Sequence, residues 1–136
     1  MRAAMEGRGE SGLKLLAVTV LTSLDDADLR EMGHNCTAGE LVATRVAQAR
    51  RIGIDGIVAS PLEASAVRAI AGPEAILVTP GVRSRGAPQG DQKRVATPAE
   101  AIRDGADYLV IGRQVTRASD PAAAVAGIRD ELQAAK

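Results

Sequence analysis

One chain of 136 residues with 46% hydrophobic content has material for one packed domain, or part of one. Its 17 basic residues balance 17 acidic ones, and with no Phe or Trp and a single Tyr it offers neither a basic face for DNA or RNA nor an aromatic platform for single strands, so no nucleic-acid partner is expected. Cys36 alone cannot form an intrachain disulfide or a thiolate metal site; no apolar run approaches the ~20 residues that cross a bilayer, and no signal-peptide pattern is present, so the expected setting is cytoplasmic, away from membranes.

In chain order, Arg2–Glu6 has the character of a helix end stopped by Gly7 and Gly9. A helix tail without a start signal reads either as the continuation of a longer chain or as an ordinary frayed terminus. Leu13–Leu21 (LKLLAVTVL) is a nearly continuous apolar run, the pattern of a parallel strand buried on both faces. Thr22-Ser23 ends it. Asp25, Asp26 and Asp28 place acid in the first turn of a short helix that Gly33 stops. Thr37 and Glu40 have capping-box spacing and open a longer helix to about Ile52, with Leu41, Val42, Arg45, Val46, Ala49 and Ile52 along one stripe. Gly56–Ser60 is a short strand. Pro61 then starts a helix whose Leu62, Ala66, Val67 and Ile70 are expected to face the core.

The stretch from Ala75 to Arg117 carries the chemistry. Two strands expected to be buried, Ala75–Val78 and Tyr108–Ile111, each run into turn residues that bring an arginine: Pro80-Gly81-Val82-Arg83 and Gly112-Arg113. Glycine lets backbone N–H groups approach an anion, a helix start carries partial positive charge, and a guanidinium grips phosphate oxygens in pairs. Between the strands lies a long loop with Gly86, Pro88 and Gly90 and the polar set Arg83, Arg85, Gln89, Asp91, Gln92, Lys93 and Arg94, followed by a helix opening at Thr97-Pro98. Loops of that length are commonly functional or disordered. Asp120-Pro121 opens the last helix, which Ala122–Ala135 continue.

Four strands, each followed by helix, predict an α/β fold with a parallel sheet of βα units. In a (β/α)8 TIM barrel the loops after the last two strands commonly bind phosphate, and such a barrel typically takes ~250 residues, so residues 1–136 correspond to a half barrel. A flavodoxin-like open sheet is the alternative, but its phosphate site is expected near the first βα turn, whereas the anion chemistry here is at the end.

The motifs LLAVTVLTS, DGIVAS, LVTPGVR, GDQKR, TP-x-x-A-I and GADYLVIGRQVT, in that order, resemble the carboxyl-terminal half of the bacterial orotidine 5′-phosphate decarboxylase family, a TIM barrel of the ribulose-phosphate-binding type. The resemblance implies that the chain is the carboxyl-terminal part of a single barrel domain. It further implies conversion of orotidine monophosphate to uridine monophosphate and CO2 without any cofactor. Substrate would be bound by Arg113 and Gly112 at the phosphate, Gln92 from the loop that closes over it, Arg83, and Thr22 beside the pyrimidine ring, with Pro80 near that ring. It implies a homodimer for complete members. The family's Asp-x-Lys-x-x-Asp segment is absent: the lysines are Lys14, Lys93 and Lys136, and none has carboxylates at that spacing. No catalytic residue is therefore assigned to this chain, and turnover by the isolated chain is not expected. Other readings are a different phosphosugar barrel such as a hexulose-phosphate synthase, and a non-catalytic phosphate-binding module. His34 and Cys36 read as a helix-connecting loop, and no metal site is expected. An isolated half barrel leaves two strand edges unpaired and its inner face open, so self-association, pairing with the missing half or marginal stability is expected.

Overall fold

The computed structural model describes residues 1–87 and 90–134; Pro88 and Gln89 of the long loop, and Ala135 and Lys136 at the end of the chain, lie outside the described residues. The elements run α1 (Arg2–Arg8), β1 (Leu16–Val18), α2 (Asp26–Glu31), α3 (Ala38–Ile52), β2 (Gly56–Val58), a 3-10 turn (Pro61–Glu63), α4 (Ala64–Ala71), β3 (Ile76–Pro80), α5 (Pro98–Arg103), β4 (Tyr108–Val110), α6 (Arg113–Thr116) and α7 (Pro121–Ala134). All four strands are parallel and lie in the order β1-β2-β3-β4. Sequential order without reversal has no topological switch point, which excludes the doubly wound, flavodoxin-like alternative. It is the order in which barrel strands follow one another.

The capping signals legible in the sequence are realised. Thr37 Oγ1 accepts from the Glu40 N–H at 3.2 Å while a Glu40 carboxylate oxygen accepts from the Thr37 N–H at 2.8 Å, and Thr97 and Glu100 repeat the arrangement at the start of α5. Asp25 caps α2 by accepting from the N–H groups of Ala27 and Asp28. Asp26 reaches further and accepts from the Ala38 N–H at 2.8 Å, fastening the start of α3.

The register explains how the sheet is covered. On one face Ile57, Ala59 and Leu77 pack with Val42, Val46 and Ala49 of α3 and Ala64 and Val67 of α4, while Val82, Ala101 and Ala106 form a second cluster joined by Leu109 and Ile111. On the other face the pairing Val18↔Val58↔Val78↔Tyr108 sets four side chains in one row. That row is open at both ends, with Val18 61% and Tyr108 62% exposed. The expectation that β1 is buried on both faces, and that the Tyr108 strand is buried, is therefore corrected: Leu13, Leu16, Val18, Leu21, Tyr108 and Val110 are exposed. An inner barrel face is covered by side chains from strands across the axis, and four strands cover only one face of themselves.

Smaller corrections share a local cause. The first helix runs through Gly7 to Arg8 and is closed by Gly9, whose N–H reaches the Met5 and Glu6 carbonyls. After Pro61 the chain makes a 3-10 turn before α4, and the tighter winding leaves Leu62 and Ala66 exposed and buries Ala64 instead, while Val67 is buried and Ile70 packs on the core as expected.

Candidate functional site at the carboxyl ends of the strands

The amino-terminal ends of the strands are sealed by a repeated device. Asp55, just before β2, accepts from the Leu15 N–H at 2.8 Å and pairs with Arg8 at 2.7 Å and Lys14 at 3.3 Å. Asp107, just before β4, accepts from the Leu77 N–H at 2.7 Å and pairs with Arg68 at 2.7 Å. The backbone N–H of Leu15 above all, together with Lys14 and Arg8, holds the Asp55 carboxyl below the usual carboxylate range. A concavity of about 570 Å3 between α1 and α3 contains none of the strand-end residues.

The carboxyl ends carry two neighbouring pockets of different character. One, of about 470 Å3, is lined by Arg83, Ala87, Gly90, Arg113, Gln114, Arg117 and Ala118. Three guanidinium groups around one space make it a place for an anion. The other, of about 210 Å3, is formed mainly by Val18, Val20, Leu21, Val58 and Pro80, with Thr22 and Gln92 at its polar edge. The loop segment from Gly90 to Gln92 thus runs from the basic pocket to the apolar one.

Each pocket is shaped by local sequence. Gly112 precedes α6 without a side-chain cap, so the first N–H groups of that turn have no side-chain acceptor. Arg113 pairs with Asp91 across the loop. The Arg113 guanidinium, followed by Gln92, holds the Asp91 carboxyl below its ordinary value. Arg83 is 8% exposed and its Nη1 donates to the Val82 carbonyl at 2.7 Å, so it is not a solvated surface arginine. On the apolar side, Thr22 Oγ1 donates to Gln92 Oε1, and the N–H groups of Lys93 and Arg94 donate to the Thr22 carbonyl at 3.1 and 3.2 Å. Gly81 sits where these strands and the loop converge, at φ +81°; a Cβ there would stand 2.9 Å from the Arg94 carbonyl oxygen and 3.3 Å from Thr22 Cγ2.

The five residues singled out in the sequence are thus distributed over adjoining surfaces: Arg83, Arg113 and its neighbour Gly112 at the basic pocket, Thr22 and Gln92 at the apolar one. Sequence reasoning missed Gln114 and Arg117. Gln114 exchanges hydrogen bonds with Ser84 at 3.0 and 2.8 Å, and Arg117 completes the arginine set. The spacing of Arg113 and Arg117, four apart at a short helix, was the available signal. The two described lysines are engaged elsewhere. Lys14 pairs with Asp55 at the amino-terminal end, and Lys93 pairs with Asp25 and Asp28 at 3.0 and 2.7 Å. His34 and Cys36 lie between α2 and α3, and among the described residues no His, Cys, Asp and Glu side chains are grouped to hold a metal ion.

A singly wound parallel sheet with its pockets at the carboxyl ends of the strands is half of a (β/α)8 barrel, the enzyme fold that places its chemistry at that end. Residues 1–128 match the Orotidine 5'-phosphate decarboxylase / HUMPS family, and the chain belongs to that family. Over 135 residues it is 60% identical to orotidine 5'-phosphate decarboxylase of Methylobacterium sp. (strain 4-46), an alignment that covers 97% of this chain and 57% of the relative. The corresponding protein of Rhodopseudomonas palustris (strain BisA53) is 56% identical over 132 residues, covering 97% of this chain and 56% of the relative. Among solved structures, orotidine 5'-phosphate decarboxylase from Lactobacillus acidophilus superposes with a TM-score of 0.71 at 38% identity, over 91% of this chain and 51% of that one. The chain therefore spans little more than half the length of these relatives.

Proposed function

We propose that this chain supplies the phosphate-binding half of an orotidine 5′-phosphate decarboxylase, as the carboxyl-terminal part of one barrel domain. The supporting observation is the pair of pockets joined by the Gly90–Gln92 segment, one with three arginines and one apolar with a polar edge. A nucleoside monophosphate has that same division. In this reading the substrate phosphate displaces Asp91 from Arg113 and is held by Arg113, the Gly112 backbone and Arg83, while Gln92 and Thr22 meet the sugar and ring side. Arg113 and Asp91 are both exposed, and an exposed ion pair contributes little, so the exchange is inexpensive.

The proton that replaces the departing CO2 has to come from a group at the ring. Lys93 is committed to two aspartates and Lys14 lies at the far end of the sheet, so in this reading the donor belongs to the portion of the relatives that this chain does not span. Binding energy gathered at the phosphate serves to orient the ring and close the loop. The assembled enzyme is a homodimer acting on orotidine monophosphate.

Calorimetric titration of the chain with uridine monophosphate tests this reading. Arg113→Ala removes charge-assisted hydrogen bonds worth roughly 1.5–3 kcal/mol each, so affinity falls by about tenfold to over a hundredfold. An affinity unchanged within about twofold overturns the phosphate assignment.

A further inference from the structure

Four consecutive residues of the long loop are each fastened to a different part of the fold: Asp91 to Arg113, Gln92 to Thr22, Lys93 to Asp25 and Asp28, and Arg94 to Glu63. Arg94 differs from the others in being buried, at 7% exposure. Its Nη1 donates to Glu63 Oε1 at 2.6 Å, and its Nη2 donates to the carbonyls of both Val20 and Leu21 at 3.0 Å. Its backbone is held as well, since its N–H donates to the Thr22 carbonyl at 3.2 Å and its carbonyl accepts from Ser60 Oγ at 3.4 Å. One side chain thus joins the loop, the end of β1 and the 3-10 turn after β2.

Stability alone does not account for this arrangement. Taking an ion pair out of water is costly, and apolar side chains of similar volume often serve a core as well or better. Here Arg94 Nε and Glu63 Oε2 are additionally buried without a partner among the described residues. What the pair does supply is register. A guanidinium that reaches two successive carbonyls beyond β1 and a carboxylate beyond β2 admits one position of the loop arm, and that position sets Gln92 against Thr22.

We propose that Arg94 is a positioning residue for nucleotide binding, acting through Gln92: clamped by Glu63 and the Val20 and Leu21 carbonyls, it fixes the distance between the apolar pocket at Thr22 and the loop that reaches the arginine pocket. This deepens, and rests on, the reading of the two pockets as one nucleotide site. Lysine substitutes only in part, because a single ammonium keeps the charge toward Glu63 but cannot face the two carbonyls with a planar fork.

The test combines NMR titrations with amide exchange on the full chain carrying Arg94→Met, Arg94→Lys, Gln92→Ala or the double change Arg94→Met with Gln92→Ala. Arg94→Met is expected to weaken uridine monophosphate about tenfold, Arg94→Lys by less, and inorganic phosphate by under about twofold. In the Gln92→Ala background, Arg94→Met adds under about twofold, because the two act as one unit. The Lys93 and Arg94 amides lose protection in Arg94→Met and keep it in Gln92→Ala, while the Leu77 amide stays protected in every variant, reporting an intact sheet. Unchanged nucleotide affinity in Arg94→Met, or effects that add fully, overturns the proposal. If the unsubstituted chain binds no nucleotide, the two-pocket reading fails, and so does the positioning role in nucleotide binding; the amide data then report only whether Arg94 clamps the loop.

Discussion

The two ends of this sheet are fastened by opposite strategies. At the amino-terminal end, Asp55 and Asp107 each sit immediately before a strand, take the backbone N–H of the preceding strand and add an arginine. Those bonds engage backbone donors, which a ligand does not displace as it would an exposed side chain. At the carboxyl-terminal end the joints are mostly between side chains: Thr22 with Gln92, Asp91 with Arg113, and Lys93 with two aspartates. Side-chain pairs that are partly exposed can be exchanged for a ligand at small cost. One end is held largely through backbone donors and the other largely through side-chain pairs.

The largest expected effect comes from opening the sealed end. Asp107→Ala leaves the Leu77 N–H without its acceptor beside a buried strand and removes the ion-pair partner of Arg68, which keeps its bonds to the Gly72, Ala75 and Gly105 carbonyls, costing about 2–3 kcal/mol in denaturant unfolding while nucleotide affinity stays within about twofold. A destabilised chain that also lost affinity would show that the ends are not independent. Gly81→Ala comes next. Its left-handed backbone and the 2.9 Å approach of a Cβ to the Arg94 carbonyl make the substitution cost about 1–2 kcal/mol, and here affinity should fall together with stability.

A smaller effect is read by pH. The Asp28 backbone N–H, followed by Lys93, lowers the Asp25 carboxyl to about 2 from an ordinary 3.8. A folded value below the unfolded one means that its stabilisation is complete above about pH 4 and is lost as the pH falls toward 2. Asp25→Asn therefore flattens the acid side of the melting curve, which thermal melts across that window would register; an unaltered slope would place the acid sensitivity at other carboxylates. Smallest of all is Tyr108→Ser on the open inner face, which changes monomer stability by under about 0.5 kcal/mol because the side chain is already exposed. Sedimentation velocity should instead show reduced self-association.

Particular residues show how much was readable in advance. Thr37-x-x-Glu40 announced one helix start because a capping box needs only four neighbouring residues, and Thr97-Pro98 announced another because proline fits the first turn of a helix. The position of the candidate pockets was legible for a similar reason, since Pro80-Gly81 and Gly112-Arg113 lie at the ends of the strands that aim them. Leu16, Val18 and Tyr108 were misread because an apolar strand residue is the same whether its partner across the barrel axis is present or absent. Leu62 was misplaced because a 3-10 turn and an α-helix share their start signals.

The sequence by itself determined the alternation of strand and helix, the caps, the family resemblance and the stretch of chain that carries arginine to the strand ends, all of which depend on neighbouring residues or on periodicity. Only the tertiary structure decided that Arg83 is buried, that Arg117 joins Arg113, that Asp91 occupies that arginine, and that Arg94 ties the loop to Glu63 and the end of β1. Those partners lie between 22 and 74 residues apart along the chain where they are joined by hydrogen bonds, and no local pattern encodes which loop residue a distant strand end will meet. Packing of the βα units against one another brings them together.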